Sequence, residues 1–108
     1  MMGAALNALA NSTRLEIVRY LSDRQLGRSH KLDGWKVTKG TSESEICSHV
    51  ANRSSKPFTI THHLHELEGV GLISIGRKDG EIVCTLRPHM FLELSTALRA
   101  IAKGIAKP

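Results

Sequence analysis

The segment between Pro57 and the glycines Gly69 and Gly71 carries the most demanding pattern in the sequence. Within it Ile60, His63, Leu64 and Leu67 fall at i, i+3, i+4 and i+7, a stripe on one side of a helix. Pro57 suits the first helical position and pushes Lys56 out of the helical region, so Lys56 is the expected cap. The two glycines supply the stop. Thr59, Thr61, His62, His65 and Glu66 occupy the opposite side. Such a helix must rest on other elements through its stripe and offer hydroxyls and imidazoles outward. His63, on the inward side, reads as structural.

The flanking segments supply those other elements. Leu6, Leu9 and Ala10 form a short apolar face, Asn11-Ser12-Thr13 interrupts it with capping residues, and Leu15, Val18 and Leu21 resume at helical spacing. Two helices are expected to meet near Asn11. Residues 24–41 change character. Gly27, Gly34 and Gly40 punctuate a polar stretch in which Arg24, Arg28, Lys31, Lys36 and Lys39 face only Asp33, so a basic loop or arm is expected. The alternation over residues 35–38 allows a short strand inside it. Ser42-Glu43-Ser44-Glu45 has the form of a capping box and predicts a helix carrying Ile46, Cys47 and Val50 inward, ending at the turn formers 52–55.

Beyond Gly71, residues 72–75 and 81–86 are β-prone runs joined by Gly76-Arg77-Lys78-Asp79-Gly80, a hairpin with a basic tip whose Asp79-Gly80 pair, at the far end, is a good hairpin turn. Pro88 then opens a last helix, in which Phe91, Leu94, Leu98, Ile101 and Ile105 make a regular seam that wants a partner helix.

Charge narrows the partners. Fifteen Lys and Arg against ten Asp and Glu leave the chain at +5, a surface that attracts polyanions, with nucleic acid foremost. No stretch approaches the roughly 18 apolar residues needed to span a bilayer, and the N-terminus lacks the basic and long apolar regions of a secretory signal, so a cytoplasmic, non-membrane protein is expected. Only 4% of the residues are aromatic, which leaves the core to Leu, Ile, Val and Ala and favours helices.

Helix, helix, helix, helix, hairpin, helix, with a basic hairpin tip, resembles the winged helix-turn-helix of ArsR/SmtB transcriptional regulators. Four segments carry the resemblance: Leu6-Asn7-Ala8-Leu9-Ala10-Asn11-Ser12-Thr13-Arg14-Leu15, similar to the family's opening; Ser44-Glu45-Ile46-Cys47-Ser48-His49-Val50, similar to its positioning helix; Ile60-Thr61-His62-His63-Leu64-His65-Glu66-Leu67, similar to its recognition helix; and Gly69-Val70-Gly71-Leu72-Ile73 with the following hairpin, similar to the wing. The chain departs from the family in spending residues 24–41 between its second and third helices, and MarR-like regulators share the same core.

The resemblance implies a mainly α fold with a small β-hairpin, a single winged helix-turn-helix domain over residues 1–108 with the basic insert at 24–41 and a C-terminal dimerisation helix at 88–106. It further implies a homodimer that binds double-stranded DNA sequence-specifically and represses transcription. The expected DNA-contacting residues are Ser55 and Lys56 on phosphate, Thr59, Thr61, His62 and His65 along the recognition helix, and Arg77 and Lys78 at the wing. Expected at the dimer seam are Leu6, Leu9, Phe91, Leu94, Leu98, Ile101 and Ile105. The competing expectation is a winged-helix protein interaction module whose last helix binds a different protein while DNA is incidental.

Catalytic and metal chemistry find little support. No Ser-His-Asp grouping, phosphate loop or carboxylate pair stands out, so no enzyme is expected. Cys47 and Cys84 form no CxxC pair and are expected to be thiols, Cys47 as a small inward residue, with a redox pair as a further hypothesis. Cys47 falls at a family cysteine position but lacks neighbouring thiols. His89 and Glu93 stand at i and i+4 without the other ligands the family uses. No metal and no cofactor are therefore expected, and the identity of any inducer is open.

Overall fold

The computed structural model describes residues 2–26, 40–51 and 57–106. The strand expected over 35–38, the turn at 52–55 and the residues Ser55 and Lys56 lie outside them. In chain order the elements are α1 (Met2–Leu9), α2 (Ser12–Gln25), β1 (Thr41–Ser42), α3 (Glu43–Ala51), α4 (Pro57–Gly69), β2 (Ile73–Lys78), β3 (Glu81–Leu86) and α5 (Pro88–Ala106).

The junction of α1 and α2 forms where the capping residues stand. Asn11 is extended, and its Oδ1 accepts the backbone N–H of Arg14 at 3.1 Å, satisfying one of the free amides of the first turn. Ala5 and Ala8 carry α1 into the core, with Leu9 half-buried against it and Leu6 exposed. In α2 the buried set is Ile17, Val18 and Leu21. Leu15 lies about 200° around the helix from Ile17 and is exposed.

The basic stretch begins later than its composition suggests. Arg24 and Gln25 still belong to α2, and both are used there: Arg24 Nη2 reaches Glu45 Oε2 at 3.0 Å, and Gln25 Oε1 accepts the backbone N–H of Leu86 at 2.8 Å. At its far end, Thr41 and Ser42 form a third strand that the sequence did not announce, paired antiparallel with β3 through Thr41↔Cys84 and Ser42↔Val83. Ser42 then caps α3 as expected, its Oγ accepting the Glu45 N–H at 3.1 Å. The return half of the capping box is diverted, since the Glu45 carboxylate binds Arg24 and accepts from the Tyr20 hydroxyl at 3.4 Å.

α4 follows its pattern closely. Ile60, His63, Leu64 and Leu67 are all buried. The helix ends in a Schellman motif: Gly71 N–H donates to the Glu68 carbonyl at 3.0 Å and Leu72 N–H to the Leu67 carbonyl at 3.1 Å. This closure needs the residue at Gly71 in the left-handed region, where φ is 82°. It also sets buried Leu72 against buried Leu67, and so fixes the angle at which the chain enters β2.

The hairpin is tighter than its sequence suggests. Gly76, Arg77 and Lys78 are not loop but strand, in register with Val83, Ile82 and Glu81. Only Asp79 and Gly80 turn, both at positive φ (53° and 81°), as a type I′ hairpin requires. The sheet order is β1-β3-β2, with Ile73 and Cys84 on its buried face. The core thus lies between that face, α1 to α4 and the first turns of α5, where Met90 and Leu94 are buried. Exposure then climbs along α5, from 5% at Leu94 to 54% at Leu98, 59% at Ile101 and 80% at Ile105. The seam is continuous with the core, but its second half is exposed.

Candidate nucleic-acid interface

Burial of the Ile60, His63, Leu64 and Leu67 stripe turns the other side of α4 to solvent. Thr59, His62, His65 and Glu66 are exposed, whereas Thr61 is half-buried and already has an interaction of its own. The sequence grouped Thr61 with Thr59 and His62, but the exposed side begins a step further round. His62 Nε2 stands 3.6 Å from Glu66 Oε1, and His65 Nδ1 stands 4.0 Å from Glu68 Oε1. These solvated pairs add little to stability.

Beneath this face His63 is held from α2. Arg14 Nε donates to His63 Nδ1 at 3.0 Å, which leaves the imidazole proton on Nε2. Burial, and then the neighbouring Arg14 and His62, push His63 below the usual imidazole range, so the ring is neutral at neutral pH. A bond from a charged donor to a neutral acceptor contributes about 1.5–3 kcal/mol. Arg14 is a residue that sequence reasoning missed, since it is separated from His63 by most of α2 and all of α3. The Glu66 and Glu68 pairings were legible, because i,i+4 and i,i+3 neighbours always meet on a helix.

The second part of the interface is the hairpin end. Arg77 and Lys78 close β2, and both are exposed beside the Asp79-Gly80 turn. Their ladder bonds to β3 give them fixed backbone positions that a five-residue loop would not. Together with the exposed side of α4, the described chain presents two cations on a rigid ribbon and a helix face of hydroxyl and imidazole groups.

Elsewhere the chemistry is quiet. Cys84 is fully buried in β3, where burial and then the carboxylates of Glu43 and Glu68 push its thiol up to about 12. Cys47 is half-buried on α3, and burial followed by Glu43 raises it as well. Both are free thiols. His89 Nε2 lies 3.4 Å from Glu93 Oε1 on the exposed start of α5. Among the described residues no group of three or more His, Cys, Asp or Glu comes together, and no described helix is long and apolar enough to cross a membrane.

A scan against protein-family models and a search of curated proteins give no match to this sequence. Solved structures do match. An ArsR family transcriptional regulator superposes with a TM-score of 0.72 over 98% of this chain and 97% of its own, at 17% identity. The fold is a winged helix-turn-helix. An ArsR-like regulator from Rhodococcus sp. RHA1 gives 0.65 at 22% identity, covering 95% of this chain and 80% of its own. The homodimeric winged helix-turn-helix DNA-binding domain from Mycobacterium bovis gives 0.62 at 16% identity, covering 97% and 81%. In winged helix-turn-helix terms α3 and α4 occupy the places of the two helices of the motif, and β2 with β3 that of the wing. The mainly helical class with a small antiparallel sheet, expected from the sequence, is the one observed, with β1 added to its edge.

The residues expected at the dimer seam fall into three groups. Leu6, Leu98, Ile101 and Ile105 are exposed, and Leu9 and Phe91 are half-buried against the core. Leu94 is buried within its own chain and leaves little surface for a partner.

Proposed function

We propose that this chain is a sequence-specific double-stranded DNA-binding transcriptional regulator that acts as a homodimer, with repression by occupying a promoter as its outcome. One observation carries the reading: the recognition helix buries its whole apolar stripe while keeping Thr59, His62 and His65 in solvent, on a fold shared with transcriptional regulators. Thr59 and His62 would meet base edges in the major groove, with His65 further along the helix. Ser55 and Lys56 would hold phosphate ahead of the helix, and Arg77 and Lys78 would reach phosphate or the adjacent minor groove. Two copies joined through the outer half of α5, with Leu6 alongside, would set two recognition helices about 34 Å apart, or a multiple of that, on a pseudo-palindromic site.

Selection of bound sites from a random duplex pool tests this reading. Enrichment of a palindromic consensus supports it, and no enrichment overturns it. On the selected duplex, the double substitution R77A/K78A should weaken binding on every sequence and lower the slope of log affinity against log salt by about two. The exposed apolar end of α5 also suits a different protein partner. In that case reversal of charge at Lys56 and Arg77 would leave function intact, whereas a DNA regulator would lose it.

A further inference from the structure

The bond between Arg14 and His63 joins α2 to the recognition helix at a point where both partners are constrained. Arg14 follows the Asn11 cap, so its backbone is pinned by the 3.1 Å bond to Asn11 Oδ1 while its Nε donates to His63. His63 is buried between Ile60, Leu64 and Leu67, which have no exposed surface. Nδ1 can accept only while the ring is neutral. A proton from solvent would occupy the lone pair that the Arg14 N–H uses, so the bond is lost and two cations face each other about 3 Å apart in a partly dry site.

Of the described charges that act on His63, Arg14 and His62 oppose a proton on the ring, and Glu66 favours one more weakly. On α4 itself His62 is near, and Glu66 is engaged with His62 at 3.6 Å. From α2 the facing charge is Arg14. α1 carries no charged residue, α3 turns Glu45 to Arg24 and Tyr20 and stacks His49 on the Tyr20 ring at 4.1 Å, and the cations of β2 sit at its distal end.

We propose that the Arg14–His63 pair is an acid-released latch on the helix that reads DNA: neutral His63 keeps α4 seated on α2, and protonated His63 unseats it and lowers DNA affinity. This rests on the regulator reading above. It runs opposite to the simple expectation that acid, by adding positive charge to a protein, tightens its hold on DNA.

The test uses the full chain at constant ionic strength from about pH 7.5 to about pH 5.5, the range over which histidine charge changes. Two variants accompany the wild type: His63→Asn, whose side-chain oxygen keeps an acceptor that does not titrate, and Arg14→Met, which removes the opposing cation. Hydrogen-exchange protection of the α4 amides should fall about tenfold on acidification in the wild type and stay within about twofold in both variants. Affinity for the duplex selected at neutral pH should fall about fivefold in the wild type relative to His63→Asn, the surface histidines being common to both. Parallel exchange profiles in wild type and His63→Asn overturn the latch. Loosening of α4 without a relative change in affinity overturns its effect on DNA. A wild type that binds no duplex at any pH overturns the regulator reading and the DNA half of the proposal together, and the exchange profiles then decide the latch. If His63→Asn does not fold, Arg14→Met carries the comparison.

Discussion

Cys84 shows how completely a reactive side chain can be reduced to a packing group. It pairs with Ile75 and Thr41 in the middle strand and has no exposed surface. Its thiol is ordinarily near 9 and is pushed to about 12 here. Between those values the unfolded chain has lost a proton that the folded chain keeps, so stability tied to Cys84 is full below about 9 and falls as pH rises toward 12. Iodoacetamide at about pH 8.5 should therefore label half-buried Cys47 first, and Cys84 only at the rate of unfolding, accelerating with urea. Equal labelling of both in the native protein would contradict this. The urea midpoint should also drop between about pH 8 and about pH 10 more in the wild type than in Cys84→Ala. The residue scale is where the sequence was least legible. The stripe of α4 identified His63 as structural, because periodicity reports which side a residue faces. It could not name Arg14 as the partner, or give Glu45 to Arg24 instead of its own cap, because those contacts depend on how α2 lies across α3 and α4.

At the scale of elements, chain punctuation was read well where it is local. Asn11, Ser42 and Pro57 start helices where capping chemistry says they should, and Pro88 opens α5. The two glycines at the end of α4 were read together as one stop, yet the structure gives them opposite roles. Gly69 is helical with open space about its Cα, whereas Gly71 takes φ 82° at the position that closes the Schellman motif. Gly69→Ala should stabilise the protein by up to about 1 kcal/mol through helix propensity. Gly71→Ala should destabilise it by about 1–2 kcal/mol, even though an added Cβ would meet nothing closer than Met90 Cε at 4.0 Å. Urea denaturation of the two variants checks this, and effects of the same sign would show that space, not backbone conformation, governs the turn. What the sequence missed at this scale was non-local. β1 exists because Thr41 and Ser42 find an open edge of β3, and two residues carry no alternation to announce it. Arg77 and Lys78 entered the ladder because a type I′ turn needs only Asp79 and Gly80.

For the whole molecule, the decisive feature is the gradient of exposure along α5. A helix whose apolar seam starts in the core and continues past it leaves Leu98, Ile101 and Ile105 more than half exposed, and a row of this kind is what an association site would use. Its two halves should respond oppositely to mutation. Leu94→Ala empties part of the chain's own core and should cost about 2–5 kcal/mol of stability. The double substitution L98E/I101E touches residues more than half exposed in one chain, so the fold should survive with its circular dichroism intact. If α5 joins two copies, these four buried carboxylates would face each other across the pair, and sedimentation should show a monomer at concentrations where the wild type is dimeric. Under the proposed regulator reading, DNA binding supplies the second readout. A monomer retains one recognition helix and one wing, so contact with a single half-site should persist while affinity for the full palindrome falls by about a hundredfold, the gain from linking two sites being lost. A charged variant that still sediments as the wild type does would place the dimer contact elsewhere. An unchanged affinity in a proven monomer would mean that the two half-sites are read independently, and that α5 serves some partner other than a second copy of this chain.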